Sequence, residues 1–291
     1  RIMTPKPKKA MDLLACSKNE DKICKCGTVQ ALNHDIENDE ELKERFKKQE
    51  SEAVQRISNN LRVAPRNSNN CVYKINVYFH VLYADASNNV SNAALQSQIE
   101  QLNRDFRKNN AGQNWITHDG SRWDDCSADT CIEFVWSTDD ITRKQTQTSE
   151  WTEFHQMKFD ENGGSNAQDT SSFLNIWVVG SIKDAGDSLL GYATFPGGDP
   201  LKDGIVLASY TIPNSPNQSS VYGLGRTLTH EVGHYLHLEH IWTDQIADTP
   251  VQNLNDGCPE LTLDTAPDEP CLDMFENYMD YTNDACMNVW T

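Results

Sequence analysis

Residues 230–240, HEVGHYLHLEH, place four histidines and two glutamates within eleven residues. On a helix, side chains four apart share one face a turn apart, so His230 and His234 can offer two imidazoles to one cation. Glu231 then stands beside them. HExxH at this spacing suits a zinc hydrolase, in which the carboxylate takes a proton from a water acidified by the cation. The third ligand decides the local fold. His237 falls on the same face, but three ligands along a straight helix lie on a line and cannot enclose a tetrahedral ion. The chain is therefore expected to turn away after about Leu236 and bring His240 back to the metal, with His237 as the competing ligand.

Outward from this segment the pattern is that of a mixed sheet with helices. In KINVYFHVLY (74–83), Ile75, Val77, Phe79 and Val81 alternate onto one face, as in a strand. Leu95, Ile99, Leu102 and Phe106 then recur at helical spacing within 92–109, with Ser91 or Asn92 as the cap. Further strands are expected at CIEFVW (131–136), LNIWVV (174–179), LLGYATF (189–195) and GIVLAS (204–209), and the histidine helix from about Ser220. Beyond Trp242, acids, Pro and Cys dominate, which predicts an irregular, stapled subdomain.

Toward the other end, 36–57 reads as a charged helix with Asp39/Lys43, Glu41/Arg45 and Glu44/Lys48 at i,i+4. SNNLRVAPRNSNN (58–70) lacks periodicity and reads as an exposed linker open to proteolysis. Two units are expected, 1–66 and 67–291, the second dividing into 67–236 and 237–291.

Composition narrows the class. No stretch approaches the roughly 18–20 apolar residues of a membrane span. Nine cysteines, mostly in loop-like surroundings, suit an oxidising compartment, so secretion is expected. No apolar leader opens the sequence at Arg1, so any export signal lies outside it. The net charge of -18 divides unevenly: 14 Lys/Arg against 11 Asp/Glu in 1–66 (+3), and 11 against 32 in 67–291 (-21). Opposite signs attract the two parts, while the acidic body repels nucleic acid and favours basic polypeptides.

Several stretches together resemble the pappalysin family of metzincin metallopeptidases. They are CGT (26–28), QLNRDFRKNN (101–110), LNIWVVG, LLGYATFPG, GRTLTHEVGHYLHLEHIW (225–242), DTPVQ (248–252) and NYMDYTNDACM (277–287). HExxHxxxxxH resembles the metzincin zinc signature, with His237 where glycine is usual. The bend there asks for positive φ, which histidine tolerates at about 1 kcal/mol. The resemblance implies an α+β, metzincin-like fold: a mixed twisted sheet with a backing helix, an active-site helix and an irregular C-terminal subdomain, preceded by a prosegment.

It further implies zinc on His230, His234 and His240, a methionine turn with Met279 beneath them, and Tyr281 supporting the oxyanion. Substrate protein or peptide would add as a strand along an exposed edge at Leu189–Phe195, through Gly191, Tyr192 and Ala193. Asp284 would favour a basic residue after the scissile bond, and Cys258 would pair with Cys286. Cys26 would bind zinc and keep a zymogen latent, with Cys24 as its competitor.

Other readings stay open. Glu276 and Asp280 form an ExxxD pattern that could supply a third ligand if the segment were helical. Asp244, Asp248, Asp256 and Asp264 offer hard oxygens that suit Ca2+. Cys16 with Cys24 is a candidate bridge and Cys126 with Cys131 would close a short local loop, which leaves Cys71 and Cys271 paired only by arithmetic. A rival class, a binding module with a structural metal, has no use for Glu231 beside a ligand.

Overall fold

A computed structural model describes residues 24–37, 39–58, 72–110, 128–244, 249–259 and 273–290. The N-terminal arm comprises β1 (Cys24–Cys26), α1 (Thr28–Ile36) and α2 (Glu40–Ser58). The body follows with β2 (Tyr73–Tyr83), α3 (Asn92–Phe106), β3 (Ile132–Val135), β4 (Ile141–Gln145) and β5 (Glu150–Trp151). Next come β6 (Leu174–Val179), β7 (Ser181–Asp184), β8 (Asp187–Ala193), β9 (Ile205–Ala208) and α4 (Arg226–Tyr235). A small ribbon, β10 (Asp256–Gly257) paired with β11 (Tyr281–Thr282), belongs to the last subdomain.

The main sheet has the order β3-β2-β6-β9-β8-β7-β5, with β4 also pairing β2 and β1 pairing β8. Its strands are parallel except that β8 runs antiparallel to both β7 and β9. β2 is long because its β-branched and aromatic run fits a pleated, covered surface, and Val77, Phe79, Val81 and Leu82 are fully buried. On one face α3 lays Leu95, Ile99, Leu102 and Phe106 against the sheet, joined by Leu228 and Val232 of α4. Ser91 caps α3 by accepting the Ala94 N–H at 3.2 Å. The opposite face is covered by Trp151, Met157, Leu189, Tyr192 and, from the arm, Ala31.

Three expectations need correction. The charged helix starts at Glu40, not Ile36, because Asp39 caps α2 by accepting the Leu42 N–H at 2.9 Å instead of serving as a charge partner of Lys43. Lys43 pairs with Glu40 and Lys47 with Glu44, at i,i+3. The histidine helix starts at Arg226, not Ser220, since residues 219–225 form turns held by the Ser219 hydroxyl on the N–H groups of Val221 and Tyr222. Finally, β8 is no open edge. β7 covers its first half, and β1 pairs in parallel through Cys24–Leu189 and Cys26–Gly191.

The linker at 59–70 lies outside the described residues, as do Cys16, Cys71, Cys126 and Cys271. Cys258 and Cys286 form a disulfide, whereas Cys131 is a free thiol and closes no loop with Cys126. Among the described residues no helix is long and apolar enough to cross a membrane. Because Leu102 is fully buried between α3 and the sheet, Leu102→Ala should cost about 2–5 kcal/mol, read as a lower midpoint in urea unfolding.

Candidate metal centre

The helix α4 ends where the ligand geometry needs it to. His237 has φ +76°, its N–H reaches His234 O at 2.8 Å, and the Leu238 N–H reaches Gly233 O at 2.9 Å. These two bonds are the Schellman termination, here built on histidine instead of glycine. The His237 ring turns away from the three other histidines and packs on Phe195 and on Phe46 of α2. Beyond the bend, His240 returns to the end of the helix and stacks on Trp242 with ring centroids 4.4 Å apart.

His230, His234, His240 and Cys26 are all buried, with one ligand atom from each lying within 4.8 Å of the others. Among the described residues this is the group of His, Cys, Asp and Glu able to hold a metal ion. His230 Nδ1 faces the Tyr278 carbonyl and His234 Nδ1 the Leu238 carbonyl, both at 2.7 Å. Each Nδ1 must therefore carry the proton, which leaves Nε2 as a lone pair turned toward the cluster.

His234 Nε2 lies 3.1 Å from both His230 Nε2 and His240 Nε2. Facing lone pairs at that distance repel unless a cation lies between them. Ligands about 2.0–2.1 Å from a tetrahedral zinc would stand a little over 3 Å apart, so the set fits zinc. Burial also holds the imidazoles in their neutral, ligating form, His230 down to about 4 and His234 and His240 well below their ordinary value.

Glu231 is fully buried, and burial pushes it up to about 8. Its Oε2 accepts the Thr28 hydroxyl at 2.9 Å, with Cys26 Sγ at 3.5 Å. The Thr28 hydroxyl in turn accepts the Ala193 N–H at 2.8 Å, and Gly27 N–H donates to Gly191 O at 2.9 Å. Gly191 and Ala193 thus offer backbone groups to the arm, while the Tyr192 side chain is core. The Tyr281 hydroxyl donates to Cys26 O at 3.2 Å, and its ring lies against His230 and His240.

Met279 is buried beneath α4. A Cβ at Gly233 would collide with its Sδ and crowd Trp290, so bare glycine lets the two elements meet. Segment 276–281 is a turn instead of a helix, and Asp280 is spent accepting from Gln252 and Asn255, so the ExxxD alternative lacks its scaffold.

Asp284 lines the pocket beside Glu231. Its Oδ2 accepts the N–H groups of Leu224 and Arg226, at 2.8 and 3.3 Å, at the start of α4. Burial pushes its carboxyl up to about 6 despite those bonds. Of the four loop aspartates, Asp244 accepts the Thr249 hydroxyl and Asp256 pairs with Lys25, while Asp248 and Asp264 lie outside the described residues.

Two residues in the arrangement carried no role in the sequence reading. Thr28 lies two residues after Cys26, and only the strand pairing brings its hydroxyl to Glu231. Asp105, on α3, accepts from Thr229 at 2.6 Å, from Tyr278 at 3.0 Å and from Gln101 at 2.8 Å. It ties α3, the metal helix and the methionine segment together. A lone acid on the inner face of a helical stripe is the signal that could have marked it.

A sheet with a backing helix, an HExxH helix ended by a bend, and a buried triad of imidazoles define a metzincin metallopeptidase. The Peptidase_M43 family model, described as pregnancy-associated plasma protein-A, matches residues 157–291. An extracellular metalloprotease of Verticillium alfalfae is 33% identical over 230 residues, covering 73% of this chain and 71% of its own. Among solved structures, a promirolysin mutant from Tannerella forsythia is 37% identical with TM-score 0.75, covering 92% of this chain and 90% of its own. Mature mirolysin in complex with a cleaved peptide is 39% identical with TM-score 0.69, covering 76% and 88%. The chain belongs to the pappalysin family, Peptidase_M43, and is a metallopeptidase with a prosegment.

Since Gly233 is where Met279 and Trp290 press against α4, Gly233→Ala should destabilise the zinc-loaded protein by about 1–3 kcal/mol through overpacking. Urea unfolding at saturating zinc measures it.

Proposed function

We propose that the chain is a secreted zinc endopeptidase in its latent form, with 1–66 as prosegment and 67–291 as the catalytic unit. Cys26 Sγ, gathered with three histidine nitrogens within 4.8 Å, carries this reading. In it His230, His234 and His240 hold zinc, and the Cys26 thiolate takes the fourth position. Soft sulfur at roughly 2.3 Å is a strong zinc ligand, and the cation favours its ionised form. When bound, zinc supplies a Lewis acid that polarises the scissile carbonyl and lowers the pKa of water.

The chain's own residues do the rest. Substrate backbone pairs with Gly191 and Ala193 once β1 has left β8. Glu231, relieved of Thr28, takes a proton from the attacking water and passes it to the departing amine. Tyr281 turns its hydroxyl from Cys26 O to the developing oxyanion, and Met279 supports the floor. Asp284 and the acidic body favour a basic residue after the scissile bond. In the latent form the arm engages Glu231, Tyr281 and the Gly191–Ala193 backbone, so inhibition covers the base, the oxyanion donor and the strand edge as well as the metal. The larger share of this chain covered by promirolysin than by mature mirolysin, 92% against 76%, supports the division at the 58–70 linker. The extracellular relatives support secretion.

Glu231→Ala should keep stoichiometric zinc by metal analysis while peptide cleavage by the activated protein falls about 10²–10⁴-fold; undiminished cleavage would refute the role. Cys26→Ala in the full chain should give cleavage without any cut in the linker, and persistent latency would remove the thiolate from the mechanism.

A further inference from the structure

Lys25 is 8% exposed, an unusual burial for lysine. It precedes Cys26 on β1 and lines the pocket shared by Leu190, Tyr222, Thr227, Asp284 and Met287. Its ammonium lies 5.0 Å from the centre of the Tyr222 ring, donates to the Tyr281 carbonyl, and reaches Asp256 Oδ1 at 2.6 Å. A cation over an aromatic face, between a carbonyl and a carboxylate, is how a protein recognises a basic side chain.

The head does not go to Asp284. That carboxylate already accepts two N–H groups at the start of α4, and Arg226 also lines this pocket. Asp256 instead stands at the rim with its side chain 49% exposed. Its Oδ1 is oriented by the Gly257 N–H at 2.8 Å, and β10 is tied to β11 in the register Asp256–Tyr281. The acid is thereby fixed to the strand that carries Tyr281, two residues after Met279.

We propose that Asp256 is a specificity-determining residue that receives the cationic head of a substrate side chain, and that Lys25 holds that place in the latent chain. The inference rests on the basic preference of this pocket and assigns the acid that reads it. Asp284 shapes the inner wall and anchors α4, while the ion pair forms at the rim. Lys25 is then a built-in occupant of the specificity pocket, next to the thiolate on the metal.

The test uses the full chain activated by limited proteolysis at the 58–70 linker, with two fluorogenic peptides that differ only in lysine or norleucine after the scissile bond. The readout is the ratio of kcat/KM for lysine over norleucine. Asp256→Asn should lower that ratio about tenfold, the loss of one charge-assisted contact. Asp256→Lys should bring it below one, and each variant's zinc content checks its fold. A parent that prefers lysine, with the ratio unchanged in both variants, overturns the role of Asp256 while leaving the pocket preference intact. A parent ratio near one overturns the preference and this inference with it.

Discussion

The geometry of the metal centre depends on the helix stopping at Leu236. A continuing helix would set His230, His234 and His237 in a row, and His240 would point elsewhere. The stop costs about 1 kcal/mol for a non-glycine residue at positive φ. Two backbone hydrogen bonds offset it, as does the packing of the His237 ring between Phe195 and Phe46. The bend has a second consequence. It turns the Leu238 carbonyl onto His234 Nδ1, so the same turn that brings His240 back also sets the tautomer of His234. Position and protonation of the proposed ligands thus come from one local structure.

That structure needs a rigid floor, and Asp105 supplies much of it. A buried carboxylate is stable only when its lone pairs are filled. Asp105 receives Gln101, Thr229 and Tyr278, with Arg226 Nε at 3.4 Å. Three elements distant in sequence are therefore fixed to one charge. Since Tyr278 O also holds His230 Nδ1, the path from α3 to the metal cluster is two residues long.

Much of this was legible in the sequence because it rests on periodicity. The stripe Leu95, Ile99, Leu102 and Phe106 is the buried face of α3, and the collinearity of His230, His234 and His237 forces the bend. What was not legible depends on partners. Asp39 has the i,i+4 spacing of a salt bridge, yet a free N–H at the start of α2 competes for the same carboxylate and wins. Asp284 shows its charge in sequence but not the two amides that consume one oxygen. β4, β5 and β7 are short and partly exposed, so no alternation announces them. β1 is three residues whose meaning lies in pairing with β8, and Thr28 acquires its contact with Glu231 only through that pairing.

The arm shows how a peptide can occupy a proteolytic cleft without being cut. It lies parallel to β8, so its backbone groups meet the strand in a register different from that of an antiparallel peptide. Its Cys26 carbonyl accepts the Tyr281 hydroxyl, while the Thr28 hydroxyl occupies Glu231, so that carbonyl meets a donor but no base. These contacts are individually modest. In the proposed reading they act together because residues 58–70 keep the arm tethered at high effective concentration, assisted by the opposite charges of arm and body. On this reading a cut in that segment leaves the pairing of β1 with β8 itself intact. On that reading it turns an intramolecular ligand into a dissociable one, and dilution then clears the cleft.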